Sequence, residues 1–492
     1  MNILILNHHF DYDIEALINE SNGKHNIKTI RPEYFSERAE LIFPSEVFSS
    51  DLTVYHKKKY KKNRLIYRKK ARKLFFELYK VFQFDVFISP SSVFFYIRDV
   101  LDACDDLNVG IVIFQKELGV AKDNQEHLNF IINKYFPVHG DLIATCSEDS
   151  KNAWIKMGAD PKISFVTGQP RFDYYFNLPK NTQTHNKTYL FFSYFLHAYV
   201  TSNSSKQDYN PWTELCDNTI ECLAKLAVQN PNDKVLIKPH PQQDVFSISR
   251  IYNQVKNIKN IEILNSKTDS RKILVDSDII ISFQSSVLLE ALILNKKVIY
   301  TYWTEEVNKL SKLLLPFHKY YDFLSVSKSK EDFCKLLSNT ELIIGGKNLN
   351  SIQIKKRIKS FNSFFGDVKG DSSKRLLNLT VKMLDNKRKN IKSSHINLKS
   401  KILNDKDFYL KKELYKSKIC LCFFTIFLKF SSLLFSSKKL NNYFKKIISM
   451  YEKRILELND ISQVDLELIG NVNTNIKLYS KIYSLKIIKY FK

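Results

Sequence analysis

The sequence predicts an α/β fold of two Rossmann-like domains, followed by a helical, basic C-terminal extension. Short apolar runs recur along residues 1–337, and helical stretches separate them, which is the alternation typical of a parallel sheet. A polar run at residues 177–187 interrupts this alternation and predicts a domain boundary. The 492 residues also exceed the roughly 250–300 at which a single core stops growing, so more than one domain is expected.

The first domain is predicted at residues 1–178. Residues 3–6 read as a buried strand, and Asn7, His8 and His9 follow at its carboxyl end, before a helix near residues 14–19. Later elements of this domain are predicted as strands at residues 86–88, 111–114, 142–145 and 163–167, and as helices at residues 94–104 and 149–157.

Residues 55–82 have the pattern of a basic amphipathic helix, because lysines and arginines alternate there with apolar side chains. Two interpretations stay open for this helix. Its charged side is either an ordinary solvated face or a surface that contacts an acceptor or a membrane.

The second domain is predicted at residues 188–375. It begins with a strand at 189–192 and a helix at 212–229, and a further strand at 235–237 runs into Lys238-Pro239-His240-Pro241. The two prolines stop the strand from continuing, so His240 lies on a loop at the carboxyl end of a buried strand. Parallel sheets bind ligands at that edge.

A second polar turn is also predicted at the carboxyl end of a buried strand. Residues 279–281 read as a buried strand, 282–286 as a turn, 287–292 as a helix and 298–300 as another strand. Backbone amides at the helix start, together with the Ser285 and Ser286 hydroxyls, can donate to phosphate oxygens, and Glu290 can accept from ribose hydroxyls. The alternative is structural, because serines are common helix caps and a His-Pro pair is often only a turn.

Residues 376–492 form the predicted extension, in which lysine-rich helical segments dominate. Its apolar segment at residues 419–428 is interrupted by Lys429, and it is shorter than the roughly 20 residues that span a bilayer. The pattern favours a helix that lies in a membrane interface with its lysines on anionic headgroups, or a helix packed on the protein.

The charge balance is strongly basic, with 76 lysines and arginines against 51 aspartates and glutamates and a formal net charge of +25. Such a field attracts anions, including nucleic acid, anionic lipids and acidic glycans. The sequence has no zinc finger, helix-turn-helix or RNA-recognition pattern, so nucleic acid is not an expected partner.

Other classes of site also lack their sequence patterns. Seven scattered cysteines, of which only Cys420 and Cys422 are close, indicate neither a disulfide framework nor a metal site. With 11 glycines the chain has no dinucleotide-binding or Walker motif. The first residues are not of signal-peptide type, so the chain is expected in the cytoplasm.

Taken in order, the motifs resemble a known group of enzymes. Lys-Pro-His-Pro at 238–241, Ser-Asp at 277–278 before an apolar strand, the Ser285-Ser286 pair and Glu290 are similar to motifs of bacterial surface and capsular polysaccharide transferases of the GT-B fold. That group includes CDP-glycerol glycerophosphotransferases, Kdo transferases and bacterial sialyltransferases. The resemblance covers roughly residues 80–310, with further matching stretches at 141–150 and 166–173, and leaves the extension unexplained.

The resemblance implies a GT-B transferase that moves a sugar or polyol phosphate from a nucleotide donor, with cytidine favoured, to a glycan or lipid-linked acceptor. It implies a peripheral position at the inner face of the plasma membrane and an anionic membrane surface as a partner. No cofactor is expected beyond the nucleotide donor. No Asp-x-Asp motif stands at a strand end, so no metal is expected either.

The resemblance also assigns roles to residues. His240 is expected to protonate or hydrogen-bond the donor phosphate as charge develops on it, and Lys238, Ser285, Ser286 and Glu290 are expected to bind the nucleotide. The base is expected from the opposite domain, from His8, His9 or Asp11. Two further contenders are Glu117 and the carboxylates of Asp105 and Asp106.

Several alternatives remain open. The chain lacks the acidic-acidic-Gly motif of sialyltransferases, which counts against sialyl transfer. A UDP-sugar 2-epimerase-like enzyme and a non-catalytic basic scaffold are the competing functions. Arg171 either contacts a phosphate or forms a salt bridge, for example to Asp173.

Overall fold

The computed structural model of the chain describes most of residues 1–399, and residue 449. Within this range it leaves out residues 9, 49–50, 116–121, 179–185, 195–211, 242, 244, 310–316, 318–323, 347–348, 366–368, 390, 393–394 and 397. Three predictions therefore lie outside the described residues: His9, Glu117 and, from residue 400 onward except residue 449, the helical extension with its apolar segment at 419–428.

The first sheet is fully parallel and its central strands are buried on both faces, as expected when helices cover both sides. Its strand order is β2-β1-β3-β4-β5-β6, so the direction of winding reverses between β1 and β3. The six strands are β1 (Asn2–Leu6), β2 (Asn26–Ile30), β3 (Val86–Ser89), β4 (Gly110–Phe114), β5 (Leu142–Thr145) and β6 (Ser164–Val166).

Helices flank this sheet in the predicted alternation. The predicted basic helix begins later than expected, at Lys61, because two 3-10 turns at Val54–His56 and Lys58–Tyr60 precede it. The helices are α1 (Asp11–Ser21), α2 (Glu33–Glu40), α3 (Lys61–Val81), α4 (Phe95–Asp106), α5 (Lys122–Tyr135) and α6 (Glu148–Lys156), and a 3-10 helix at Pro170–Phe176 ends the domain.

The second sheet is also parallel, with the order β12-β11-β10-β7-β8-β9. If the strands are numbered 1 to 6 along the chain from β7, their order from β9 to β12 is 3-2-1-4-5-6, the order of dinucleotide-binding domains. The direction of winding reverses between β7 and β10. Its strands are β7 (Thr188–Phe192), β8 (Lys234–Lys238), β9 (Ile261–Ile263), β10 (Ile279–Ser282), β11 (Lys297–Thr301) and β12 (Ser325–Ser327).

Two helices of the second half return to the first domain. The helices of this half are α7 (Thr213–Gln229), α8 (Val245–Val255), α9 (Ser270–Val275), α10 (Val287–Ile293), α11 (Glu305–Lys309), α12 (Lys330–Ser338), α13 (Ser351–Phe365) and α14 (Ser372–Arg388). Of these, α13 contacts α6, and α14 packs on α1, β4 and β5. Leu376, Leu377 and Leu384 of α14 are buried in the core of the first sheet.

The start of α14 is fixed by the segment that ends the first domain. The Asp173 carboxylate accepts hydrogen bonds from the backbone amides of Ser372 (3.0 Å) and Ser373 (2.8 Å). These two amides at the helix start would otherwise lack a partner within the helix. Gly168 has a φ of +74°, and a Cβ there would meet the Ser372 hydroxyl at 2.5 Å. The predicted boundary between residues 375 and 376 falls inside this helix.

The two domains meet at Arg271, which is only 5% exposed. Its guanidinium lies over the ring of Tyr12 (3.9 Å) and over that of Tyr174 (4.6 Å), both from the first domain. It also pairs with Glu15 of α1 at 2.7 Å and with Asp269 at 3.0 Å. A buried, doubly stacked arginine therefore joins the domains.

The predicted fold class is confirmed, since two Rossmann-like domains form the GT-B arrangement. The sequence reading missed β2, β9 and β12, which are short or only partly buried strands at or next to sheet edges. Across the described residues, we find no helix whose length and hydropathy would carry it through a bilayer.

Candidate functional site

The structure brings the loops after β8 and β10 to one edge of the second sheet. Lys238 and Ser282 are both in register with Phe192 of the intervening β7, so the three strands end in a single row. The loops that carry His240 and the Ser285-Ser286 pair are therefore two strand spacings apart, about 10 Å. They flank the reversal point between β7 and β10, where open α/β sheets bind ligands.

His240 occupies a tight turn at this edge. Its backbone N–H donates to Gln243 Oε1 at 3.2 Å, and its carbonyl accepts from the Gln243 N–H at 2.9 Å. The side chain is exposed, yet its pKa lies below the ordinary value, because partial desolvation and the charge of Lys238 both disfavour the imidazolium. His240 is therefore largely neutral at neutral pH.

Lys238 is only 3% exposed, and its Nζ donates to the Ser266 carbonyl at 2.9 Å. Burial lowers the pKa of its ammonium group, an effect that the nearby Asp269 opposes. In this arrangement the ammonium acts on His240 through its charge, while its hydrogen bond goes to the protein itself.

Ser285 and Ser286 follow a residue in a left-handed conformation, Gln284 with φ of +47°. The Ser285 hydroxyl accepts from the Val287 N–H at 3.4 Å, and the Ser286 hydroxyl makes no capping hydrogen bond. Both side chains are half-buried. Helix α10, which these serines precede, has only seven residues, so its dipole is small.

Glu290 lies at the contact between the domains. Its carboxylate accepts from the Tyr175 hydroxyl, which belongs to the 3-10 helix at the end of the first domain. Burial raises the pKa of Glu290, whereas the charge of Arg171 and the Tyr175 hydrogen bond lower it. A group predicted to bind ribose therefore also joins the two domains in this structure.

On the facing domain, His8 follows β1 at the reversal point of the first sheet. It is partly buried, and its ring lies 5.5 Å from that of Phe94. Asp11 begins α1 and accepts from Asn7 Nδ2 at 2.8 Å. Both lie at the carboxyl edge, where the sequence predicted a base.

The structure contradicts the interpretation of the Asp105 or Asp106 carboxylate as the base. Both residues end α4, next to the amino end of β4, so they lie at the opposite edge of the sheet from His8. Asp105 is paired with His139 (2.7 Å) and Lys387 (3.3 Å), and Asp106 is paired with Arg72. These carboxylates hold α4 in place and are excluded as the base.

One of the alternatives for Arg171, a salt bridge to Asp173, is not formed among the described residues. Arg171 Nη2 donates to Gln169 Oε1 at 2.7 Å, while Asp173 holds the start of α14. The charge of Arg171 lowers the pKa of Glu290, so the Arg171 guanidinium lies near the domain boundary.

Sequence reasoning missed three residues of this region. Ser193 directly follows β7, and the strand-end rule that located His240 would have found it. Gln243 and Tyr175 gave no such signal, because each acts through a contact that only the folded chain creates.

Comparison with known proteins supports the enzyme class. Residues 198–302 match the family model of alpha-2,8-polysialyltransferase, a span of about a fifth of the chain that contains His240, both serines and Glu290. No curated protein sequence matches the chain.

Similar solved structures include a UDP-GlcNAc 2-epimerase from Neisseria meningitidis bound to UDP-GlcNAc, at 13% identity over 78% of this chain and 100% of that chain, with a TM-score of 0.45. A glycosyltransferase from Rickettsia africae ESF-5 matches at 15% identity over 78% of this chain and 99% of that one, also with a TM-score of 0.45. The UDP-GlcNAc 2-epimerase from Methanocaldococcus jannaschii matches at 13% identity, 77% and 99% coverage and a TM-score of 0.44.

The family model covers the segment that carries the His-Pro and Ser-Ser motifs, and the topology supplies the two domains that such an enzyme requires. Together they bear out the predicted enzyme class, and the chain is a glycosyltransferase of the GT-B type.

Proposed function

We propose that the enzyme transfers sialic acid from CMP-sialic acid to an acidic glycan acceptor of the polysialic acid type. The observation that carries this proposal is the match of residues 198–302 to the polysialyltransferase model, because that segment supplies both loops at the reversal point of the second sheet. The match outweighs the missing acidic-acidic-Gly motif. It also agrees with the cytidine donor that the resemblance implies.

In the proposed reaction, the bond between the donor phosphate oxygen and the anomeric carbon breaks, and CMP leaves. The Ser285 and Ser286 hydroxyls donate to its phosphate, and His240 gives a proton or a hydrogen bond to the oxygen that gains charge. Glu290 accepts from the ribose hydroxyls, and the Lys238 charge favours the anion. His8 takes the proton of the acceptor hydroxyl, whose oxygen forms the new bond to the anomeric carbon.

The proposal includes an anionic membrane as a partner, contacted by the exposed side of α3. This helix runs parallel to α4, since Arg68 pairs with Asp102 and Arg72 with Asp106. Its lysine-rich start therefore lies toward the carboxyl edge of the first sheet, where α4 begins. A membrane on this side would hold a lipid-linked acceptor close to the proposed site.

The test is the thermal stability of the full chain with cytidine, uridine, guanosine and adenosine nucleotides. A ligand that binds only the folded state at 100 times its Kd stabilises it by about 2.7 kcal/mol. We expect CMP to raise the Tm of the native chain, and Ser286→Ala and His240→Ala to reduce that rise. Ser338→Ala is the matched control, because its exposed hydroxyl lies at the end of α12.

Three outcomes would contradict the proposal. A preference for UDP would indicate a hexosyltransferase or an epimerase-like enzyme. A native chain that responds to no nucleotide would favour a binding scaffold. An equal loss in the Ser338→Ala control would show that the effect of the site variants is not specific.

A further inference from the structure

Gln243 joins the loops after β7 and β8. It lies three residues beyond His240 and is 7% exposed. Its Oε1 accepts from Ser193 Oγ at 2.8 Å and from the His240 N–H at 3.2 Å, and its own N–H donates to the His240 carbonyl at 2.9 Å. Three hydrogen bonds therefore fix the backbone of His240 relative to the end of β7.

These contacts also settle the orientation of the side-chain amide. The backbone N–H of His240 can only donate, so the atom that faces it must be the oxygen and not the nitrogen of Gln243. Ser193 and the His240 N–H both contact Oε1 and not Nε2. Nε2 is buried and has no hydrogen-bond partner among the residues that the structure describes.

A buried donor without a partner is rare in folded proteins and calls for an explanation. Here the unpaired N–H lies beside the reversal point between β7 and β10, where open α/β sheets bind the phosphates of nucleotides. The ammonium of Lys238, the strand residue that precedes this loop, makes the surroundings favourable for an anion. Position, charge and the unpaired donor all point to an anionic oxygen as the missing partner.

We propose that Gln243 Nε2 donates a hydrogen bond to a phosphate oxygen of the nucleotide donor. This inference rests on the proposed function, in which this edge binds a cytidine nucleotide. The donor completes the hydrogen bonding of an amide whose oxygen already holds His240, so donor binding and the placement of His240 depend on the same side chain. Nε2 is shielded in the free protein, so this hydrogen bond requires the groups that cover it to move when the phosphate enters.

The test compares the binding of CMP and cytidine by calorimetry to the native chain and to Gln243→Glu. Glutamate keeps an oxygen for Ser193 and for the His240 N–H but loses the N–H donor. We expect CMP to bind roughly 10- to 100-fold more weakly to this variant, as for a lost hydrogen bond to a charged group, and cytidine to bind equally to both.

Two further variants separate this effect from charge repulsion and from loop damage. Gln243→Met removes the donor without adding a charge, and it should weaken CMP binding selectively while also lowering the Tm of the free protein. Ser193→Ala removes only the contact to Oε1, and it should lower the Tm without a selective loss of CMP binding.

The outcomes are distinct. A native chain that binds no CMP overturns both the proposed function and this inference. If the native chain binds CMP and Gln243→Glu binds it as tightly, the inference alone is wrong. The same holds if the variant loses CMP and cytidine equally, because the phosphate would then not be the partner.

Discussion

At the residue scale, the proposed chemistry depends on the protonation of His240. Its pKa lies below the ordinary value of about 6.5, because of partial desolvation and of the Lys238 charge. If the protonated ring acts on the leaving phosphate, kcat/KM follows the protonated fraction and falls as the pH rises through this lowered pKa. Lys238→Met removes the charge, so the pKa should rise and the fall in kcat/KM should move to higher pH.

The pH profile of kcat/KM checks this prediction, since a folded fraction that stays constant with pH scales the whole profile without changing its shape. Lys234→Met is the matched control, because Lys234 begins the same strand but pairs with Glu262 at the surface, 2.7 Å away. Its profile should overlay that of the native chain. A Lys238→Met profile that also overlays it would mean that His240 does not act in its protonated form.

At the element scale, α3 offers the best-defined surface for a partner. Tyr67, Ala71, Leu74 and Leu78 bury one side of the helix, and the opposite side carries exposed Lys62, Lys69 and Lys73. Two apolar side chains are exposed among these lysines, Leu65 at 55% and Ile66 at 47%. Apolar groups between lysines are typical of a helix that lies on an anionic membrane rather than one that faces water.

We therefore expect that changing Lys62, Lys69 and Lys73 together to glutamate weakens binding to vesicles with anionic lipid. At about 1 kcal/mol for each lysine near the surface, the loss should be roughly hundredfold. Co-sedimentation measures it, with zwitterionic vesicles as a blank. Lys256, Lys259 and Lys272 are exposed on the second domain, so their change to glutamate alters the net charge equally. Equal losses for both triple variants would mean that α3 is an ordinary solvated face.

At the scale of the whole molecule, the relation between the domains depends on Arg271. Its two ring contacts and its pair with Glu15 cross the boundary, and each cation–ring contact contributes about 0.5–2 kcal/mol. Arg271→Ala should therefore let the domains separate. The radius of gyration in solution scattering should increase and the proposed transfer activity should fall, while the proposed nucleotide binding by the second domain persists.

Arg250→Ala is the matched control for this prediction. Arg250 pairs with Asp217 between α7 and α8, within the second domain and at its surface. This variant should leave the radius of gyration unchanged. An unchanged radius in Arg271→Ala as well would show that other contacts, such as that between Tyr175 and Glu290, suffice to hold the domains together.

The sequence by itself determined the two Rossmann-like domains and the sheet edge to which the candidate site is assigned. Strands such as β8 and β10 are continuous apolar runs because both faces of a parallel sheet are buried, so composition alone identifies them. Once strand direction is known, His240 and the Ser285-Ser286 pair must follow strands at the same edge. The strands β2, β9 and β12 escaped detection because partial exposure or short length removes that signal.

Only the tertiary structure decided which side chains meet. The Tyr175–Glu290 contact spans 115 residues, the Asp173 contact to α14 spans 200, and that between Gln243 and Ser193 spans 50. Apolar periodicity reports the burial of a residue within its own helix or strand, over a few residues. Contacts between distant segments depend on how the completed sheets and helices pack, and no local pattern in the chain encodes that.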